Sequence, residues 1–255
     1  MFKRLYTIFL FAALPLVAQT ATIRIAAAAD LQPVLPAILA AYRAADGAAV
    51  TASYASSATL AAQIINGAPF DLFLAADQSF PQRVIDAHMA VETRPVVYAQ
   101  GTLVLWARRN GLPGPLRLTD LASPSVHRIA VANPQHAPYG AAAIAALKSS
   151  GIYPAVQSKL VYAENIAQAA QFAQSGNADC ALIAKTLALS PALARVGRGV
   201  DVSSILYPPI DQGAVLMRHA SQRAEATNFL QFLLSPAGRK LLEQGGLTPP
   251  APRVR

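Results

Sequence analysis

Residues 54–76 read YASSATLAAQIINGAPFDLFLAA, and residues 162–184 read YAENIAQAAQFAQSGNADCALIA. The two stretches align without a gap at a constant offset of 108 residues, and 8 of their 23 positions are identical. The identical pairs are four alanines together with Tyr54/Tyr162, Gln63/Gln171, Asp71/Asp179 and Leu74/Leu182. Each stretch reads as strand, turn, helix, turn and strand, and the period is far too long for a solenoid. The sequence therefore predicts two similar α/β lobes.

The segments before each repeat extend the same pattern. Predicted strands lie at residues 22–27, 50–54, 71–74 and 128–132, and predicted helices lie at residues 31–42, 57–65 and 141–147. The first helix takes Asp30 as its N-cap, and Pro36 is expected to kink it. The order βαβαβ favours parallel-type sheets flanked by helices.

Two extended stretches, residues 95–107 and 207–217, are predicted to cross between the lobes and to form a hinge. The predicted domains are a first lobe of residues 22–100 plus 212–255 and a second lobe of residues 101–211. A final helix over residues 223–244 is expected to pack back on the first lobe.

Residues 1–21 have the features of an export signal. Lys3 and Arg4 precede an apolar run over residues 5–18, and small residues follow it. No cysteine stands just after the run to accept a lipid, so cleavage is favoured over an uncleaved anchor. The mature chain is predicted to be periplasmic and soluble.

Composition narrows the function classes. The formal net charge of +8 is scattered over the chain, which indicates solubility and weak anion steering rather than a nucleic-acid module. Cys180 lies in an apolar stretch and is expected to be a buried, inert thiol. No G-x-S-x-G elbow, H-E-x-x-H sequence or phosphate-binding glycine loop occurs. The chain is therefore predicted not to be an enzyme; a hydrolase using Ser57 with His136 is the alternative from another class.

Four strand-to-helix turns are predicted to meet between the lobes, at residues 28–30, 55–57, 138–140 and 164–166. Each opens a helix whose first N–H groups lack intrahelical partners and carry the positive end of the helix dipole. Together they could bind an anion without lysine or arginine. Ser57 fits both a cap and a ligand, and Tyr139 fits either the wall of the cleft or an exposed loop.

Asp30 does not fit an anion site in its ionised form. The electrostatic repulsion between a carboxylate and a unit negative charge about 4 Å away is on the order of 4 kcal/mol at an effective dielectric near 20. The Asp30 side chain must cap the helix, be protonated or coordinate something directly. Capping is the favoured hypothesis, since the Asp30 N–H would still face the ligand.

Several motifs resemble the molybdate-binding component of bacterial ABC importers, a type II periplasmic binding protein. They are AAAADL (26–31), SYASSATLAAQI (53–64), GAPFDLFLAAD (67–77), NPQHAPYG (133–140) and AENIAQA (163–169). The resemblance implies ligand contacts at Asp30, Ser57, Tyr139 and Ile166. The family's tyrosine hydroxyl, where one exists, would fall on Ala184 and is missing here.

The resemblance implies a protein that closes its lobes over molybdate, and also tungstate, and delivers the ion to a membrane permease driven by an ATPase. The alternative is the same class of protein with another oxyanion, such as sulfate or phosphonate. We expect no cofactor, no metal beyond the bound oxyanion, no nucleic-acid partner and a monomeric chain.

Overall fold

The computed structural model describes residues 22–250 of the chain, so the predicted export signal at residues 1–21 lies outside the described residues. The elements up to the first crossing are β1 (Thr22–Ala28), α1 (Leu35–Ala44), β2 (Ala49–Ala55), α2 (Ser57–Ile65), β3 (Leu72–Ala75), α3 (Ser79–Asp86) and β4 (Val96–Gly101). There follow β5 (Leu103–Arg108), β6 (Ile129–Ala132), α4 (Pro138–Ser149), α5 (Tyr153–Val156), β7 (Leu160–Ala163), α6 (Ile166–Ser175), β8 (Cys180–Ala184), α7 (Lys185–Ala188), α8 (Pro191–Val196) and β9 (Gly197–Asp201). The last elements are β10 (Ile210–Leu216), α9 (Arg223–Leu234) and α10 (Pro236–Gln244).

The strands form two five-stranded sheets of the same design. The first has the order β2-β1-β3-β10-β4 and the second the order β7-β6-β8-β5-β9. In each sheet three neighbouring strands are parallel, and a fourth strand, β10 or β5, runs antiparallel to both of its neighbours. The predicted α/β fold with two lobes is confirmed, with the correction that each sheet is mixed. We call the first sheet with its helices the first lobe, and the second sheet with α4 to α8 the second lobe.

The chain passes from the first sheet to the second at Thr102, between β4 and β5. It leaves the second sheet at Asp201 and re-enters the first at Ile210, so most of residues 207–217 is strand β10 within the first sheet. The division into residues 22–100 plus 212–255 and residues 101–211 stays a prediction, as does hinge motion.

The aspartates shared by the two repeats carry out the same structural task. Asp71 precedes β3 and accepts a hydrogen bond from the Arg24 N–H at 2.8 Å, while its own N–H donates to the Arg24 carbonyl. Asp179 precedes β8 and makes the equivalent pair of bonds with Arg128, at 2.8 and 2.9 Å. Each aspartate therefore fixes the start of one parallel strand against its neighbour.

Both lobes have their own apolar core. In the first lobe, α1, α9 and α10 cover one face of the sheet and α2 and α3 cover the other. In the second lobe one continuous cluster includes Trp106 on β5 and Cys180 on β8, both with 0% exposure. The prediction of a buried thiol is confirmed, and burial raises the pKa of Cys180 to about 12.

Two predicted helices differ from those observed. The first begins at Leu35, with Pro36 in its first turn, after a separate 3-10 turn over Ala29–Leu31. Because Pro36 has no N–H to donate, a helix from residue 31 cannot continue through it, and α1 begins at Leu35 instead. The final helix is two helices, because Ser235 ends α9 and caps α10, with Pro236 in the first turn of α10. No helix within residues 22–250 has the length and apolar character needed to span a membrane.

Candidate functional site

A narrow cleft lies where the two lobes face each other. Its walls come from the ends of β1 and β2 and the starts of α2, α4 and α6, and its lining residues are Ala28, Ala29, Asp30, Ala55, Ser56, Ser57, Ala76, Ala137, Pro138, Tyr139, Asn165 and Ile166. The structure thus brings all four predicted site residues to one place. The cavity volume is about 10 Å³. That is about the room that one water-sized group needs, far below the roughly 300 to 1,000 Å³ of pockets for drug-sized ligands, so the walls of the cleft lie close together.

The start of α2 presents Ser57 to the cleft. Ser56, not Ser57, is the N-cap, and its hydroxyl accepts from the Thr59 N–H at 3.2 Å. The hydroxyl of Ser57 accepts from the Ala76 N–H at 3.1 Å, and the side chain is buried. Because that bond uses a lone pair of the oxygen, the Ser57 hydroxyl hydrogen remains available to donate to a bound group. The hypothesis that Ser57 is a cap is therefore wrong, and a donor role remains open to it.

The other two helices, α4 and α6, begin at the same cleft. Asn165 caps α6 by accepting from the Gln168 N–H at 3.0 Å, which leaves Ile166 as the first helical residue. Helix α4 begins at Pro138, which has no N–H, and Tyr139 follows with a ring that is only 1% exposed. The exposed-loop interpretation of Tyr139 is therefore wrong.

The hydrogen bonds within residues 22–250 account for most of the N–H groups at these helix starts. Among those left without an acceptor are the N–H groups of Ser57, Tyr139 and Ile166. All three belong to first turns, where the helix dipoles place partial positive charge. The lining of the cleft includes no lysine or arginine. Its chemistry is therefore that of an anion site built from backbone donors.

Asp30 does not cap a helix. The 3-10 turn that contains it has no side-chain cap, and its carboxyl group is 0% exposed. Its Oδ2 accepts from Gln212 Nε2 at 2.5 Å, and the same amide nitrogen lies 3.3 Å from the Tyr139 hydroxyl. Burial raises the pKa of Asp30 to about 6, against the opposing effect of these hydrogen bonds. The favoured capping hypothesis for Asp30 is therefore wrong.

Contacts between the lobes surround the cleft. The Ala58 N–H donates to the His136 carbonyl at 3.1 Å, and the Thr59 hydroxyl donates to Glu164 at 3.2 Å. A third bond between the lobes runs from the Thr186 hydroxyl to the Asp30 carbonyl, at 2.7 Å. The cleft is thus bordered on two sides by bonds that join the lobes.

The side chains show no hydrolase arrangement around Ser57. The imidazole Nδ1 of His136 lies 3.7 Å from Glu164, an exposed residue at the rim, while the Ser57 hydroxyl pairs with a backbone N–H. A nucleophile needs a base within hydrogen-bonding distance, and no hydrogen bond among the described residues joins the Ser57 hydroxyl to His136. Within residues 22–250 no group of three or more histidine, cysteine, aspartate or glutamate side chains could bind a metal ion.

A sequence profile described as "Bacterial extracellular solute-binding protein" matches residues 23–248, almost the whole described chain.

The chain belongs to this family of bacterial extracellular solute-binding proteins. The family consists of binding proteins, so the prediction that the chain is not an enzyme is confirmed.

Several named proteins are similar to the chain over most of its length. It is 34% identical over 203 residues to the molybdate-binding protein ModA of Rhodobacter capsulatus, covering 78% of this chain and 77% of the relative. It is 32% identical over 229 residues to ModA of Azotobacter vinelandii, covering 90% of each. The solved Azotobacter vinelandii periplasmic molybdate-binding protein superposes with a TM-score of 0.82 at 29% identity, over 89% of this chain and 99% of that chain. The predicted resemblance is confirmed.

Sequence reasoning missed two buried polar residues of this solute-binding protein. Gln212, on β10, supports Asp30 and Tyr139 from the first lobe, and Thr186, on α7, bonds to Asp30 from the second. The strand sequence IDQGAVL contains two polar residues, Asp211 and Gln212, so the sequence alone did not single out Gln212 as the buried one. Ala184 is fully buried at the end of β8 and does not line the cleft.

Proposed function

We propose that this protein binds molybdate, and also tungstate, between its lobes in the periplasm and delivers the ion to the permease and ATPase of an ABC importer. The observation that carries the proposal is the convergence of free N–H groups from three helix starts on one cleft without a cationic side chain. The printed names of the relatives supply the identity of the anion.

Ser57, Tyr139 and Ile166 are the proposed donors. Their N–H groups come from three different helices, and the Ser57 hydroxyl adds a fourth donor. A tetrahedral oxyanion offers an oxygen in each of these directions, and hydrogen bonds to an ionised acceptor are about twice as strong as neutral ones. Ile166 and Tyr139 act through the backbone; the Ile166 side chain only packs, whereas the Tyr139 hydroxyl also accepts a hydrogen bond from Gln212.

Sulfate is the second candidate because it shares the shape and charge of molybdate. The same backbone donors would serve both ions, so the size of the cleft decides between them. Export by the signal at residues 1–21 and a monomeric state are parts of the proposal that follow from the sequence.

Thermal unfolding of the mature protein with single oxyanions tests the proposed ligand. At a concentration about 100 times its dissociation constant, a ligand stabilises the folded state by about 2.7 kcal/mol, which raises the Tm of a chain this size by about 5–10 °C. We expect that rise with molybdate and tungstate and not with sulfate, phosphate or phosphonate. A rise with sulfate alone would reassign the ligand, and no rise with any of them would overturn the anion site.

The Ser57→Ala variant is expected to bind molybdate about ten- to a hundredfold more weakly, because a hydrogen bond to a charged group contributes about 1.5–3 kcal/mol. Titration calorimetry measures this change. The Ser56→Ala variant is the matched control: it removes the cap of α2, costs about 1 kcal/mol of stability and leaves the proposed donors in place. Equal affinities of the two variants would remove Ser57 from the site.

A further inference from the structure

Asp30 stands out among the residues of the cleft because it puts a carboxyl group into an anion site. The group is fully buried, and the residue lines the cleft. One oxygen, Oδ2, accepts from Gln212, whereas Oδ1 has no hydrogen-bond partner among the described residues. A buried acceptor without a partner is costly when it is ionised and much less so when it carries a proton.

No lysine or arginine lines the cleft beside Asp30. Tyr98 on β4 and Tyr139 on α4 are titratable groups that interact with the Asp30 charge. The elements packed around the residue also carry Tyr54 on β2, Lys148 on α4, Lys185 on α7 and Asp211 on β10, and Tyr207 precedes β10. Helix α6, which also packs on the Asp30 turn, contains no charged residue.

The lysine on α7, the helix that packs on the Asp30 turn, is already paired with a carboxylate. Lys185 forms an ion pair with Asp201 at 2.7 Å, and at the rim His136 faces Glu164 at 3.7 Å. Burial raises the pKa of Tyr98 and of Tyr139 well above the usual range, so both stay neutral and act only as hydrogen-bonding groups. An ionised Asp30 would therefore lie beside the bound anion without a counter-charge.

We propose that Asp30 becomes protonated when the oxyanion binds, so that this site takes up one proton together with each fully ionised ligand. The inference rests on the proposed function, since it needs an oxyanion in the cleft. The step is balanced by the solvent: one proton moves from water or buffer to a carboxylate oxygen of Asp30, and no other bond forms or breaks. The neutral carboxyl group then adds an O–H donor in place of a repelling charge.

The direction of the pH dependence follows from the free protein. In the free protein burial outweighs the hydrogen bonds from Gln212, the Asp30 N–H and Tyr139 and raises the pKa of Asp30 to about 6, and a neighbouring dianion raises it further. Below pH 6 the group is already protonated and binding needs no proton. Above pH 6 each binding event must take up a proton, so the dissociation constant rises about tenfold per pH unit until the pH passes the pKa of the complex.

Titration calorimetry with sodium molybdate on the mature protein tests the inference. Runs at pH 8 in two buffers with different ionisation enthalpies give the number of protons taken up, and runs from pH 6.5 to 8.5 give the pH dependence of the dissociation constant. We expect about one proton per molybdate and a loss of affinity of about tenfold or more over this range.

The Asp30→Asn variant is expected to take up no proton, to bind with an affinity independent of pH, and to bind more tightly than the parent at pH 8. The Asp30→Ser variant takes its place if the asparagine variant does not fold. The matched control is Asp211→Asn, which removes a carboxylate next to Gln212 but bonded to Gln100 and outside the cleft lining. This control should behave like the parent protein.

The possible outcomes distinguish between the proton uptake, its assignment to Asp30 and the proposed function. Molybdate binding without proton uptake and with a flat pH profile would overturn the inference and leave the proposed function intact. Proton uptake that persists in both Asp30 variants would overturn the assignment to Asp30. Failure of the parent protein to bind any of the oxyanions would overturn the proposed function and the inference with it.

Discussion

The Gly140→Ala variant is expected to lose about 3 kcal/mol of stability and its thermal response to molybdate. Alanine in place of glycine within a helix normally stabilises by about 0.5–1 kcal/mol. Here an added Cβ would lie 2.1 Å from the Ala132 carbonyl oxygen and 2.8 Å from its carbon. Both are backbone atoms of β6, so α4 must move away from the sheet, at the cost typical of overpacking.

The displacement would also change the proposed site. Tyr139 immediately precedes Gly140 in α4, so its free N–H and its hydroxyl would shift away from Ser57 and Gln212. Far-ultraviolet circular dichroism melts with and without molybdate measure both effects. Ala141→Gly, at the exposed next position, is the control, with a loss of about 1 kcal/mol and an unchanged response to molybdate. A Gly140→Ala variant as stable as the parent would contradict the close packing of α4 on β6.

The Asp71→Ala variant should lose about 3 kcal/mol of stability, which corresponds to a drop in Tm of about 6–12 °C. The Asp71 carboxylate is 0% exposed and accepts from the N–H groups of Arg24 and Gln222 and from the Ser221 hydroxyl. The Arg24 guanidinium also lies 3.6 Å away. Removing the carboxylate leaves buried donors unpaired and frees the segment that leads into α9.

Asp179→Ala is the matched variant because Asp179 occupies the equivalent position of the second repeat. Within residues 22–250 its carboxylate accepts only from the His127 and Arg128 N–H groups, and it is partly exposed, so water can replace the lost bonds. We expect a loss of about 1–2 kcal/mol. Chemical denaturation of both variants in the absence of ligand measures the difference. Equal losses would show that burial does not distinguish the two aspartates.

The architecture could be predicted because it is repeated within the sequence. The offset of 108 residues pairs the strand and helix starts of the two lobes, and the structure shows the same strand order in both sheets. The antiparallel strands β5 and β10 escaped this reasoning. Both follow crossings between the lobes, and their direction depends on where the chain enters the sheet rather than on local pattern.

Local chemistry predicted the site only in part. Turn residues and apolar periodicity indicated where α2 and α6 begin, and the cleft forms where those turns meet. The cap of α2 is Ser56, one residue before the predicted Ser57. Local sequence allows either serine to cap the helix, and the Ser57 hydroxyl is instead occupied by a long-range hydrogen bond from the Ala76 N–H. Asp30 was misread for a similar reason, because its partner Gln212 is 182 residues away.

The pairing of β5 with β8 has a practical consequence for following how this protein unfolds. The single tryptophan, Trp106, and the single cysteine, Cys180, lie on these two strands and are both inaccessible to solvent. Indole emission and thiol labelling will therefore report only the opening of the second lobe, and a separate transition of the first lobe would be invisible to both. Comparing either signal with circular dichroism shows whether the two halves of the chain denature as one cooperative unit.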